Sequence, residues 1–445
     1  MSYLLTFYGD DFTGSTDVME ALTLGGVPTV LLLESLPPEE VQAQFPKAQA
    51  VGLAGTSRSM TRAQMAEVLP KAFNYLKSFG ANVVHYKVCS TFDSSPEIGS
   101  IGQALELGLE VFPQTPVPMV VGAPILKRYV VFGNLFATVQ GETYRLDRHP
   151  TMSVHPVTPM NESDLRRHLT QQTSRSVKLY DLLALARRDD LSHYADADVL
   201  LFDTVNAEHQ ATIGEILYQY KAPFWVGSSG MEYALIAHLQ ATGQIRARQV
   251  DKVNAVSQLL VISGSAAPVT ASQIAWAERH GFVGIRLDSL ALIDDSRAES
   301  YVAHIIDRSE CLLRQGKSVI LYSAKGPDDP AIMQTKLQLE RLGWHPNQVS
   351  SLLGKQQGSI LKGLLERYPL PRVCVSGGDT CGHAVMKLGL TALELLMPIA
   401  PGSPLCKAHS SNQHNGLEIS LKAGQVGRED YFASVLSGQV PACVN

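Results

Sequence analysis

Along this chain of 445 residues, short runs of β-branched and aromatic residues alternate with longer stretches whose apolar positions recur every three to four residues. That alternation is what parallel sheets with crossover helices leave in a sequence. Leu4 to Tyr8 reads as a strand, and Ser15 to Leu24 as a helix closed by Gly25-Gly26. Val30 to Leu33 and Ala50 to Gly55 follow as strands. Thr61 with Gln64 makes a capping box, and Met65, Leu69, Phe73 and Leu76 mark one helical face behind it. Val83 to Val88 is the next strand, Ile98 to Val111 a helix, and Val199 to Asp203 and Phe224 to Gly227 strands, the latter leading into a helix from Met231.

Two stretches break the rhythm. Thr143 to Pro159 carries three prolines, two of them in His-Pro pairs, and reads as a loop of a length that is usually functional or mobile. Ala241 to Val256 turns polar and basic before a new strand, Leu259 to Ile262, with further strands at Val319 to Ser323, Val373 to Ser376 and Leu417 to Leu421. The expectation is an α/β chain of two α/β domains with mainly parallel sheets, 1–245 and 255–445.

Composition narrows the classes. Apolar residues at 45% and charged residues at 18% supply buried sheets and exclude disorder as the main state. A formal net charge of −5 without a basic block disfavours a nucleic-acid partner. The longest apolar run, Val117 to Phe132, is interrupted by Lys127 and Arg128 and is too short to span a bilayer. MSYLLTFYGDD lacks the basic start of a secretory signal, and six scattered cysteines form no C-x-x-C. A cytoplasmic protein is expected, with a homo-oligomer left open.

Candidate chemistry lies where strands end, because ligands of open α/β sheets bind at the carboxyl ends of strands. Gly9 to Asp17 sets Asp10 and Asp11 between the first strand and first helix, where they suit substrate hydroxyls or serve as turn and cap residues. Thr56 to Ser59 offers Arg58, a planar fork for a carboxylate or a surface ion pair. Lys87 to Ser95 joins a cation, hydroxyls including Ser90 and Thr91, and Asp93, while Cys89 reads as packing. In the second half, Ser376 to His383 sets Gly377 and Gly378 at a helix start, where backbone N–H groups meet a phosphate closely. Ser263-Gly264-Ser265 and Lys422 to Gly427 are further glycine turns after strands. Gly316-Lys317-Ser318 imitates a P-loop but precedes a strand, and no G-x-G-x-x-G opens a helix. Cys406, His409 and His414 match no common zinc spacing.

On these residues the chain resembles the four-carbon acid sugar kinases, long described only as a domain of unknown function. DDFTG with Asp17, Thr56 to Ser59 (T-x-S-R) and Lys87 to Thr91 are similar to the family's sugar-binding motifs. Gly264-Ser265 with Thr270 and Gln273, Gly377 to Thr380 with Gly382, Pro401-Gly402 and Lys422 to Gly427 are similar to its second half. The resemblance implies an acid-sugar domain, an ATP domain and an active-site cleft between them. It implies that Ser265, Gly377, Gly378, Asp379, Thr380 and Gly424 contact ATP, and that Arg58, Lys87, Ser90 and Thr91 bind the acid. Asp10 and Asp11 would be the catalytic pair and Asp379 would act through Mg²⁺. The chain departs from the common D-S-T-L-R-G at Cys89 to Ser94, closer to the 3-oxo-tetronate branch, which leaves the choice among tetronates open. A nicotinamide-dependent hydroxy-acid dehydrogenase and a non-catalytic two-lobed acid-binding protein are the competing expectations.

Overall fold

A computed structural model describes residues 3–139, 141–155, 157–250, 252–342 and 346–440, the side chains of residues 340, 342, 346–350 and 379 excepted. The chain divides into two compact units, Met1–Gln249 and Val250–Asn445. Both are α/β.

In the first unit the strands run in parallel in the order Thr29–Leu32, Ala50–Ala54, Leu5–Gly9, Val84–Lys87, Phe224–Gly227, Val117–Val120, Val199–Phe202 and Val177–Tyr180. All but the last are buried along their whole length, as expected of strands covered on both faces. The helix Phe12–Gly25 starts on an Asp11 cap and ends on Gly26 at φ 108, and Arg62–Lys77 starts on the Thr61–Gln64 capping box. Of the described residues in the Pro-rich stretch, only Thr143 to Arg145 depart from the loop expectation. Glu142–Arg145 pairs with Asn134–Val139, which pairs with Arg128–Val131, in a three-stranded antiparallel sheet, and short 3₁₀ turns at Leu146–Arg148 and Met152–Val154 follow. Pro150 and Pro159 lie outside the hydrogen-bonded ladder.

In the second unit Val283–Arg286, Val319–Tyr322, Leu260–Ser263, Arg372–Ser376 and Glu418–Lys422 are parallel neighbours in that order. Ser403–His409 and Ala392–Ala400 extend the sheet antiparallel. Leu259, Val261, Ile320, Cys374 and Leu405 form the buried core on one side with Ile274, Ala277 and Phe432 from the helices. No described helix is long and apolar enough to cross a membrane.

Candidate functional sites

Register brings three loops of the first unit together. Gly9 lies opposite Ala54 on one side and Lys87 on the other, and Lys87 lies opposite Gly227. The chain therefore leaves adjacent strands at adjacent points. The Asp10 N–H donates to the Lys87 carbonyl at 3.0 Å, and the Arg58 N–H donates to the Asp10 carbonyl at 3.1 Å. Asp10, Asp11, Arg58, Lys87, Ser90 and Thr91 thus share the carboxyl edge of one parallel sheet.

The two adjacent aspartates have different fates. Asp11 caps the first helix, accepting the Gly14 N–H at 2.7 Å and the Thr13 hydroxyl at 2.7 Å, and it is ion-paired with Arg58. Its oxygens are spoken for. Asp10 is 2% exposed, and its Oδ1 has no hydrogen-bond partner among the described residues. Burial pushes its carboxyl above the usual carboxylate range, against the pull of Arg58 and Lys87. Arg58 in turn has a second carboxylate, Asp93, at 3.6 Å, so its charge is shared by two acids of the chain.

Lys87 is buried, and its ammonium opposes the upward shift that burial imposes on Asp17. The Glu232 carboxylate also bears on Asp17, and it is held by His85: Nδ1 lies 2.5 Å from Glu232 Oε1, with His85 Nε2 3.1 Å from the Gly227 carbonyl. Glu232 and His85 carried no signal in the sequence, because each sits inside an apolar-looking element far from the other motifs.

The loop after Lys87 is held rigidly. Phe92 has φ 58, a left-handed conformation that bulky residues adopt at a cost. It packs edge-on against His168 at 5.8 Å, and the Ser94 hydroxyl lies 2.9 Å from His168 Nε2, which also receives Gln172 Nε2 at 3.0 Å. Burial pulls His168 down to about 4, so it stays neutral. Thr91 is buried with its hydroxyl 3.0 Å from Cys89 Sγ, and Ser90 is half-buried. Burial pushes the Cys89 thiol up, which suits packing and not nucleophilic attack.

The second unit assembles a different site by the same device. Ser263 lies opposite Ser376, and Ser376 opposite Lys422, so three turns leave one edge side by side. The Gly264 N–H donates to the Ser376 carbonyl and the Gly377 N–H to the Lys422 carbonyl, each at 2.9 Å. Gly377, at φ 118, begins the helix Gly378–Leu388 with no side chain to cap it. Its first-turn N–H groups lack an intrahelical acceptor, as at every helix start, and such donors can receive an anion. A Cβ on Gly378 would meet nothing within 4 Å, whereas one on Gly424 would lie 2.5 Å from Ser265 Oγ. Gly424 is required where two turns pass closely.

Side chains brace these turns. The Thr270 hydroxyl donates to the Gly424 carbonyl at 2.8 Å, and Gln273 Nε2 to the Val426 and Arg428 carbonyls at 3.0 and 2.9 Å. Lys422 Nζ donates to the Ala423 carbonyl at 2.8 Å, and burial pulls its pKa down to about 8. Thr380 donates to Gln357 Oε1 at 3.0 Å, and the Ser265 hydroxyl accepts the Ala267 N–H at 3.2 Å. The buried hydroxyls of Ser263 and Ser376 have no partner among the described residues. The Asp379 side chain lies outside the described residues, and no described cluster of three or more His, Cys, Asp or Glu is placed to hold a metal ion.

Residues 5–235 match the family model described as a sugar-binding N-terminal domain, and residues 260–432 the model of a nucleotide-binding C-terminal domain. The chain is 43% identical to the 3-oxo-isoapionate kinase of Paraburkholderia graminis, over 98% of the chain and 95% of that protein. It is 30% identical to the 3-oxo-tetronate kinase of Pseudomonas savastanoi pv. phaseolicola, over 97% and 96%. Its fold matches a Haemophilus influenzae protein of a former domain of unknown function with a TM-score of 0.70 at 22% identity, covering 97% and 98% of the two chains.

Proposed function

The chain belongs to the four-carbon acid sugar kinase family, and from that premise we propose that it transfers the γ-phosphoryl group of ATP to a terminal hydroxyl of a small 3-oxo sugar acid. The observation that carries this reading is the contrast between a buried, partly unpartnered Asp10 flanked by cations and a helix start at Gly377 built only of backbone donors. One suits a hydroxyl that must lose its proton, the other a polyphosphate.

In the mechanism, Asp10 accepts the proton of the attacking hydroxyl as that oxygen bonds to phosphorus and the bond to ADP breaks. A carboxyl held above its ordinary range is the better proton acceptor near neutral pH. Asp11 is a positioning residue that caps the helix and holds Arg58. Arg58 and Lys87 supply the positive field of the acid site, and Ser90 and Thr91 orient the acid's hydroxyls. Gly377, Gly378 and Thr380 receive the phosphates, with Ser265 and Gly424 forming the facing turns. The open space in front of Gly378 and the uncapped first turn fit ATP. Mg²⁺, when bound with the nucleotide, neutralises phosphate charge, and Asp379 is its proposed protein partner.

Relatives named for 3-oxo-isoapionate and 3-oxo-tetronate share the 3-oxo acid, which supports a substrate of that class. A coupled ADP-release assay over 3-oxo-isoapionate, 3-oxo-tetronate, erythronate and threonate tests the reading. Acid-dependent ADP release with a 3-oxo acid preferred is expected. Release with none of them, from protein that binds ATP, overturns it.

A further inference from the structure

The acid site described so far is short of uncommitted positive charge. Arg58 is divided between Asp11 and Asp93, and Lys87 faces Asp10 and Asp17. An anionic substrate needs a further cation, and the three-stranded antiparallel sheet carries one.

Arg128 opens that sheet. Its backbone exchanges hydrogen bonds with Ala123 at 3.0 and 3.2 Å, just beyond the carboxyl end of Val117–Val120. That strand pairs with Phe224–Gly227, which pairs with Val84–Lys87. Arg128 therefore stands on the same sheet edge as Lys87. Its guanidinium is fixed on one side, where Nη1 donates to the carbonyls of Leu126 at 3.0 Å, Lys127 at 3.2 Å and Thr138 at 3.4 Å. Carbonyls orient a guanidinium without neutralising it. On the other side Nε is buried and has no hydrogen-bond partner among the described residues, a donor that costs stability until an acceptor reaches it.

The Pro-rich segment adds a second donor. His149 is 5% exposed, and its Nδ1 accepts the N–H groups of Thr151 and Met152, both at 3.2 Å. The neutral ring therefore carries its proton on Nε2. Burial and the nearby Arg128 hold this histidine below its ordinary range, opposed by Asp93, while burial lowers Arg128 against Cys89 and Asp93. Arg128, His149 and the Cys89–Asp93 loop share one neighbourhood.

We propose that Arg128 and His149 anchor the carboxylate of the sugar acid, Arg128 through its Nε edge and His149 through Nε2–H. The assignment deepens the kinase reading and rests on it for the identity of the acid. An Arg edge presents parallel N–H donors that match a carboxylate and not an isolated carbonyl. It also gives a use to the Pro-rich stretch, whose two His-Pro pairs have no place in phosphoryl transfer itself.

Calorimetric titration of 3-oxo-tetronate and of its carboxamide, without ATP, into wild type, Arg128→Gln, Arg128→Lys and His149→Asn tests the anchor independently of turnover. Loss of a charge-assisted contact should weaken acid binding by about 10- to 100-fold in Arg128→Gln. The carboxamide should be affected far less, and Arg128→Lys and His149→Asn should fall between. Equal weakening of acid and carboxamide, or unchanged acid binding in a folded Arg128→Lys variant, overturns the proposal. ADP release run on the same proteins separates the two claims. Arg128-dependent acid binding without ADP release supports the anchor and sinks the kinase reading. ADP release with Arg128-independent binding does the reverse.

Discussion

In the proposed function the two units solve the same problem, holding a polyanionic or anionic ligand at the carboxyl edge of a parallel sheet, with opposite materials. The first uses ionisable side chains: Asp10, Asp11, Asp17, Asp93, Arg58 and Lys87 crowd one edge. The second uses backbone and hydroxyls, with the described cation Lys422 turned to carbonyls of its own turn. Side chains can titrate, so they can move a proton. Backbone N–H groups cannot, but they grip phosphate without a compensating charge or a pH dependence. The difference supports the proposal that the first unit carries the chemistry and the second the nucleotide.

The sharpest way to break this contrast is Asp10→Asn. Removing a general base should lower kcat by about a thousandfold while leaving the KM for ATP unchanged, and Asp11→Asn, which keeps the cap, should cost less. Because Asp10 must be ionised and burial raises its pKa, wild-type kcat should fall with decreasing pH sooner than an ordinary carboxylate would dictate. Equal kcat in Asp10→Asn and wild type would remove Asp10 from the mechanism. Next comes Gly378→Val. A Cβ there meets nothing of the protein within 4 Å, so folding should survive while loss of one or two charge-assisted contacts weakens ATP binding about 100-fold by calorimetry. Intact ATP affinity would refute the cradle. The smallest effect concerns rigidity of the acid loop. His168 is pulled down to about 4 from 6.5, so the unfolded chain binds a proton that the folded chain refuses as pH falls. Stability to denaturant should therefore drop by about 2 kcal/mol between pH 7 and pH 5, and His168→Gln should flatten that slope.

The sequence made some of this legible. Alternation of strand and helix patterns showed the α/β class, and the glycines of the second unit stood where turns approach closely, as Gly424 against Ser265 does. The acidic pair was visible, but its division of labour was not. Asp10 and Asp11 are chemically identical in sequence, and only the helix start at Phe12 decides which one is consumed as a cap. Arg58 read as a fork for a ligand carboxylate or as a surface ion pair, and two carboxylates of the chain share it. Arg128, His149 and Glu232 were silent because tertiary packing, not spacing in the sequence, sets their neighbours. Thr143 to Arg145, read as the start of a loop, are strand because they pair with Phe136 to Thr138, a partner outside the stretch that its own pattern does not reveal.

The account stands most directly on the fate of the γ-phosphoryl group. Incubating the protein with Mg²⁺, 3-oxo-tetronate or 3-oxo-isoapionate, and ATP labelled with ¹⁸O in its γ-phosphoryl oxygens, followed by mass spectrometry of the acid, reads that fate. The account predicts that the label appears on the acid, and that Asp10→Asn suppresses its appearance while ATP still binds. Label recovered only in inorganic phosphate, or retained on ATP in the presence of both acids, would contradict it.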